Sequence, residues 1–149
     1  MIRAISYKLP NKWSNLLVQV FDEVPVEDYD WQLRDMDVYI HPYGSGWLFN
    51  HETYNGCEFK RLVECNKYYI LALGLIASTV QSDEKVHDLE SFSQSTANFA
   101  LLIYDSIYVQ VYVKDDEMYE MFHRAAIKHE FSSIRELPQD EFWHTEWTA

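Results

Sequence analysis

The stretch FALLIYDSIYVQVYV, residues 99–113, constrains the fold more than any other part of this chain. Its first part, FALLIY, is apolar without interruption, as a fully buried strand is. The remainder alternates: Ile107, Val109, Val111 and Val113 point to one face, and Tyr108, Gln110 and Tyr112 to the other. Asp105-Ser106 between them reads as a two-residue turn, although it lacks the glycine such turns favour. Together these features predict an antiparallel hairpin.

The flanking chain supplies the rest of a sheet and its cover. After the hairpin, Asp115-Asp116-Glu117 suits the positive end of a helix dipole, with Asp115 as cap. A helix is therefore predicted over 116–129, with Met118, Met121, Phe122 and Ala125 inward and Glu120 four residues before Arg124 as an ion pair. IRAISYKL predicts a first strand, about Ile2 to Leu9, ended by Pro10-Asn11. Trp13, Leu16, Leu17, Val20, Phe21 and Val24 fall on one helical face, and Pro25 stops that helix. Tyr29–Leu33 and Asp37–His41 read as two short strands about an Arg34-Asp35-Met36 turn. WLFN, residues 47–50, offers a further short strand. A helix begins after Asn55-Gly56, and YYILALGLIASTV, residues 68–80, reads as a buried strand. Gln81 to Asn98 is polar and serine-rich, the character of a functional or mobile connection. The end of the chain offers an edge strand near Ile134 and an aromatic tail, 138–149, with Phe142, Trp143 and Trp147. Strands with intervening helices and a hairpin predict one α+β domain over 1–149, mainly antiparallel sheet with about three helices packed on it.

Composition limits what such a domain does. Twenty-four acids against twelve bases give a formal charge of −12. That argues against a nucleic-acid partner, which needs a basic footprint, and against an anionic membrane surface. The longest apolar run is shorter than the ~20 residues of a spanning helix, and no secretory signal precedes it. Cys57 and Cys65, eight apart, read as free buried thiols in a reducing cytosol. Four glycines cannot spell a phosphate-binding loop, and Gly44-Ser45-Gly46 is a turn rather than a nucleophile elbow. The six histidines lack the close ligand pairs of a small-domain zinc site, so neither metal nor cofactor is expected.

Two acidic concentrations stand out. Asp22 to Asp37 holds seven acids and one base, with Tyr29 and Trp31 among them. Asp115, Asp116, Glu117 and Glu120 form the second, beside Tyr108, Tyr112 and Tyr119. Carboxylates steer a lysine- or arginine-rich protein, and aromatic rings anchor it. The expected contact set is Asp28, Tyr29, Asp30, Trp31, Tyr108, Tyr112, Asp115, Asp116 and Glu120, with no catalytic residue. Two other readings stand beside this one. The first is an enzyme or ligand binder with a cleft near His41, His51 and Glu52. The second is a structural protein that self-associates through its aromatic surface.

The hairpin segment IYDSIYVQVYVKD and the opening RAISYKLPNKWSNLL resemble a small bacterial family, domain of unknown function 2691. The resemblance reaches to about Ile134, is patchy from Pro42 to Asn66, and leaves the aromatic tail unmatched. It implies a cytoplasmic protein of a Gram-positive-type bacterium or its phage, and supplies no activity and no site residue. In size, acidity and single-domain character the chain is also similar to toxin-immunity proteins, which neutralise a protein partner.

Overall fold

The computed structural model describes residues 1–147. Seven strands form one sheet: β1 (Arg3–Lys8), β2 (Asp30–Ile40), β3 (Thr53–Tyr54), β4 (Tyr68–Ser78), β5 (Phe99–Tyr104), β6 (Tyr108–Val113) and β7 (Ser132–Leu137). Their spatial order is β3-β2-β4-β5-β6-β1-β7, and every pairing is antiparallel. The helices are α1 (Leu16–Val20), α2 (Gly56–Glu64), α3 (Leu89–Gln94) and α4 (Asp116–Lys128). This is the α+β arrangement the sequence predicts, with one helix more.

The predicted hairpin sits mid-sheet as β5 and β6, and Phe99 through Ile103 are buried. Its loop has three residues rather than two, because Tyr104 pairs with Tyr108. Asp105 and Ser106 both adopt positive φ, 49° and 70°. Ile107 leaves the strand, and its carbonyl accepts the Leu9 N–H at 2.8 Å.

The larger correction concerns β2. Arg34-Asp35-Met36 does not turn the chain back, and residues 30–40 form one strand along β4. Between the pairs Arg34↔Gly74 and Asp37↔Ala72, two residues of β2 oppose one of β4; between Asp37↔Ala72 and Val38↔Ile70, β4 carries the extra residue. Asp35, at φ 49°, absorbs the kink. Each strand thus gains one residue, so Leu33 and Val38, which simple alternation would place on opposite faces, both enter the same core.

One face of the sheet lies under α1, α2 and α4. Leu17, Phe21, Phe59 and Phe122 meet Ile5, Trp31, Phe99 and Val111 in this core. α1 is shorter than its apolar stripe, because Ser14 exchanges backbone hydrogen bonds with Tyr68 as an added strand position. The stripe nevertheless faces inward: Leu16, Leu17, Val20, Phe21 and Val24 are all buried. The other face is covered by the 81–98 segment and the C-terminal tail. Val86, Phe92, Phe142 and Trp147 close over Ala4, Ile76, Ala100, Leu102 and Tyr112. The polar connection is therefore part of a second core. Its α3 starts with a capping box between Asp88 and Ser91.

Candidate functional site

Two acidic groups, far apart in sequence, reach the same end of the sheet. A 3-10 turn, Val26–Asp28, delivers Asp28, Tyr29 and Asp30 to the start of β2. Two contacts fix this turn. The Trp31 Nε1–H donates to the Val26 carbonyl at 3.1 Å. Gly56 approaches Glu27 so closely that a Cβ there would lie 2.2 Å from the Glu27 carbonyl oxygen, which no other residue permits. α2 starts at this contact, capped by Asn55, whose side chain accepts the Glu58 N–H at 2.9 Å.

The second group arrives at the end of β6. Val113 pairs with Phe99, and Phe99 packs edge-on against the Tyr29 ring at 5.3 Å. Two residues beyond Val113, Asp115 caps α4 through its Oδ1, which accepts the Met118 N–H at 2.7 Å. Asp28, Asp115 and Asp116 are exposed, and Asp30 is half-buried. Burial first, then the charges of Asp115 and Asp28, push the Tyr29 phenol above its ordinary pKa.

The remaining acids of the two groups are divided between solvent and internal pairs. Asp22 meets Lys128 at 2.8 Å and His129 at 2.9 Å. Arg124 lies 2.8 Å from Glu23. Arg3 joins Asp116 at 3.0 Å and Glu136 at 2.7 Å. The Glu120–Arg124 pair predicted along the helix does not form: Arg124 reaches across to α1's end instead, and exposed Glu120 stands 4.0 Å from His123. Among the described residues, Asp28, Asp30 and Asp115 take no ion-pair partner.

The aromatic members of the predicted contact set lie mostly inside, a correction to their role as anchors. Trp31 is 1% exposed and stacks on Phe59 at 4.0 Å. Tyr29 is 6% exposed. Tyr112 is fully buried, between Phe142 at 5.4 Å and Trp147 at 5.0 Å. The chain's own tail thus occupies this part of the tyrosine face. Tyr108 is half-buried beyond the reach of Trp147 and stacks on Tyr104 at 5.4 Å.

His41, His51 and Glu52 do not share a cleft. The Glu52 carbonyl accepts the Leu33 N–H, whereas His41 lies eight residues further along β2, about 25 Å at strand spacing. His51 packs against Tyr54, and His41 against Trp13. Cys57 and Cys65 are free, as expected, but exposed. They lie off the Phe59–Val63 stripe by which α2 is buried. Among the described residues no three His, Cys, Asp or Glu side chains converge as metal ligands. No helix among them is long and apolar enough to cross a membrane.

A second exposed feature escaped the sequence reading. At the opposite end of the sheet from Asp28, Tyr39 stacks on Trp47 at 4.7 Å and meets Tyr43 edge-on. Tyr43 is 76% exposed and Trp47 46%. The available signal was an aromatic pair bracketing the YGSGW turn, where no core needs one.

The chain is similar over its whole length to the uncharacterized protein YncE of Bacillus subtilis (strain 168): 26% identity over 153 aligned positions, covering all of both proteins. No solved structure matches it. The family model described as protein of unknown function (DUF2691) matches residues 2–148, and the chain belongs to that family.

Proposed function

We propose that this protein is a non-catalytic binding protein of the bacterial cytoplasm that recognises a basic protein through the acidic end of its sheet. One observation carries the reading: Asp28 and Asp30, entering β2, and Asp115, leaving β6, lie at the same end of the sheet, and among the described residues none of the three takes an ion-pair partner. The chain neutralises many other acids internally, through Lys128, Arg124 and Arg3. Uncompensated carboxylates on a rigid end, within a field of −12, favour fast association with a positive partner.

The test is capture from the host's extract over a salt series, comparing the wild type with Asp28→Lys/Asp30→Lys. Basic proteins retained by the wild type at low salt should be lost from the variant and released as salt rises, since the field is screened over ~8 Å at physiological ionic strength. Equal retention by both proteins, indifferent to salt, overturns the reading.

Self-association is a second reading, favoured by exposed Tyr43 and Trp47 beside Tyr39. Light scattering decides it. A dimer that Tyr43→Ser/Trp47→Ser converts to a monomer supports it, and a wild-type monomer at high concentration removes it.

A further inference from the structure

We propose, beyond the basic-partner reading and independently of it, that the cavity between α3 and the C-terminal tail binds a small amphipathic carboxylate. Lys114 receives the carboxylate, and an apolar wall receives the body. The cavity measures about 770 Å³, within the range of small-ligand sites. It lies over the sheet end where Ile2 and Lys114 prolong the paired strands β1 and β6. Leu89 and Ser93 line it from α3, and Phe142 from the tail. Phe142 is buried, and Ile2 and Leu89 pack against the same core. A depression of about 450 Å³ shares Ile2 and Phe142 and continues the apolar wall to Leu137.

Lys114 selects the ligand. It is half-buried, and its ammonium has three donors. One goes to the Ser95 carbonyl at 2.6 Å, and the charge lies 4.7 Å from the centre of the Phe92 ring. In a chain of 24 acids, Lys114 takes no ion-pair partner among the described residues. Glu84 acts on it only from a distance, and hydrogen-bonds Thr96 and Ser82 instead. Burial draws the Lys114 ammonium below its ordinary pKa, and a carboxylate brought beside it offsets that desolvation. One ammonium matches one negative charge, so a monocarboxylate fits better than a phosphate. The acid on the wall, Glu90, is exposed on α3, and a fully solvated charge counts for less than a half-buried one. His144 is also exposed, and its Nε2 stands 3.2 Å from the Gln139 carbonyl.

The probe is decanoate below its micellar concentration, followed by chemical shifts of the full chain. Decanol, decyltrimethylammonium and acetate are run in parallel. Saturable shifts centred on Leu89, Ser93, Lys114 and Phe142 are expected with decanoate. Decanol should bind about tenfold more weakly, and the cation and acetate should leave these residues unmoved. Decanoate, and not decanol, should raise the pKa read at the Lys114 Cε. Lys114→Met keeps the stem and removes the charge, so it should bring decanoate down to the affinity of decanol and leave decanol unchanged. Ser93→Trp fills the cavity from an exposed position of α3 and should abolish both. Denaturation midpoints near the wild type's show that both variants fold. Absent or unsaturable shifts, decanol binding as tightly as decanoate, binding of the cation at the same residues, or unchanged decanoate affinity in either variant overturns the site. Capture of basic proteins from extract is indifferent to decanoate on this account, so the two proposals fail separately.

Discussion

The two faces of the sheet are sealed by different kinds of chain. On one, α1, α2 and α4 build a continuous aromatic core in which Phe21 touches Trp31, Phe59, Phe99 and Phe122 at 5.2 to 6.2 Å. On the other, an irregular segment and the tail lie over small and mixed residues, held by individual hydrogen bonds. Trp147 donates its N–H to the His87 carbonyl at 2.7 Å, and Trp143 donates its N–H to the Tyr112 hydroxyl at 2.9 Å. Lys114 reaches the Ser95 carbonyl at 2.6 Å and lies over the Phe92 ring. Irregular chain can therefore seal a sheet as dryly as helices do, provided its polar groups find partners. What differs is how it opens: helices packed by many rings release together, while straps held at points can release singly.

Two truncations set that contrast at its widest. Phe122→Ala should cost about 3–5 kcal/mol in chemical denaturation, because α4 cannot move into the cavity without parting from Phe21 and Phe99. Trp147→Ala, although Trp147 is only 2% exposed, should cost about 1–3 kcal/mol, since the tail can peel away instead of keeping a void. Hydrogen exchange adds a second measure. In the Trp147 variant the amides of Trp143 and Phe92 should lose protection while those of α4 keep theirs. Uniform loss across both faces would show that the two covers open as one unit.

The same contrast explains what the sequence made legible. The helical face is written in periodicity. The stripes of α1 and α4, the Asp115 cap, the start of α2 after Asn55-Gly56 and the hairpin all follow from spacing within a dozen residues. The strap face has no period to read. Gln81–Asn98 is polar because most of it faces water, while Val86, Phe92 and Ala97, with Leu89 partly buried beside them, turn inward to the sheet. The tail's aromatic residues signalled burial without saying where. β2 was misread for a related reason: Asp35 looks like a turn residue, and only pairing with β4 converts the kink into a bulge. At the acidic end, the exposed carboxylates were legible from charge. The burial of Tyr29, Trp31 and Tyr112 was not, because a strand aromatic beside acids reads alike whether it points out or in.

Two tyrosines bring the comparison down to single hydroxyls. Tyr112, under the strap, accepts from Trp143 and donates to Gln110 Oε1 at 2.6 Å. Tyr7, under the helices, stacks on Phe131 at 5.2 Å, and among the described residues its buried hydroxyl has no partner, while burial alone holds its phenol far above the usual range. Tyr112→Phe should therefore destabilise by about 1–2 kcal/mol, leaving the Trp143 N–H orphaned. Tyr7→Phe removes an unsatisfied group and keeps the ring, so it should be neutral or stabilising by up to about 1 kcal/mol. Equal losses from both would mean that the Tyr7 hydroxyl has a partner in solution.

The smallest effect is electrostatic and belongs to the helical cover. Asp22 is held below its ordinary pKa of 3.8, first by its hydrogen bond from Lys128, then by that from His129. A carboxyl whose folded pKa is depressed adds stability above its unfolded value and gives it up as pH falls through the folded one. The contribution should therefore be complete at neutral pH and begin to disappear only as pH drops below about 4. Asp22 bridges the end of α1 to the end of α4, so its protonation should loosen the helical cover before the strap. Asp22→Asn, followed by denaturation midpoints from pH 7 to pH 3, should lower stability slightly at neutral pH and flatten the acid limb of the curve. Parallel curves for variant and wild type would show that the pair is fully screened, and that the helical face depends on its rings alone.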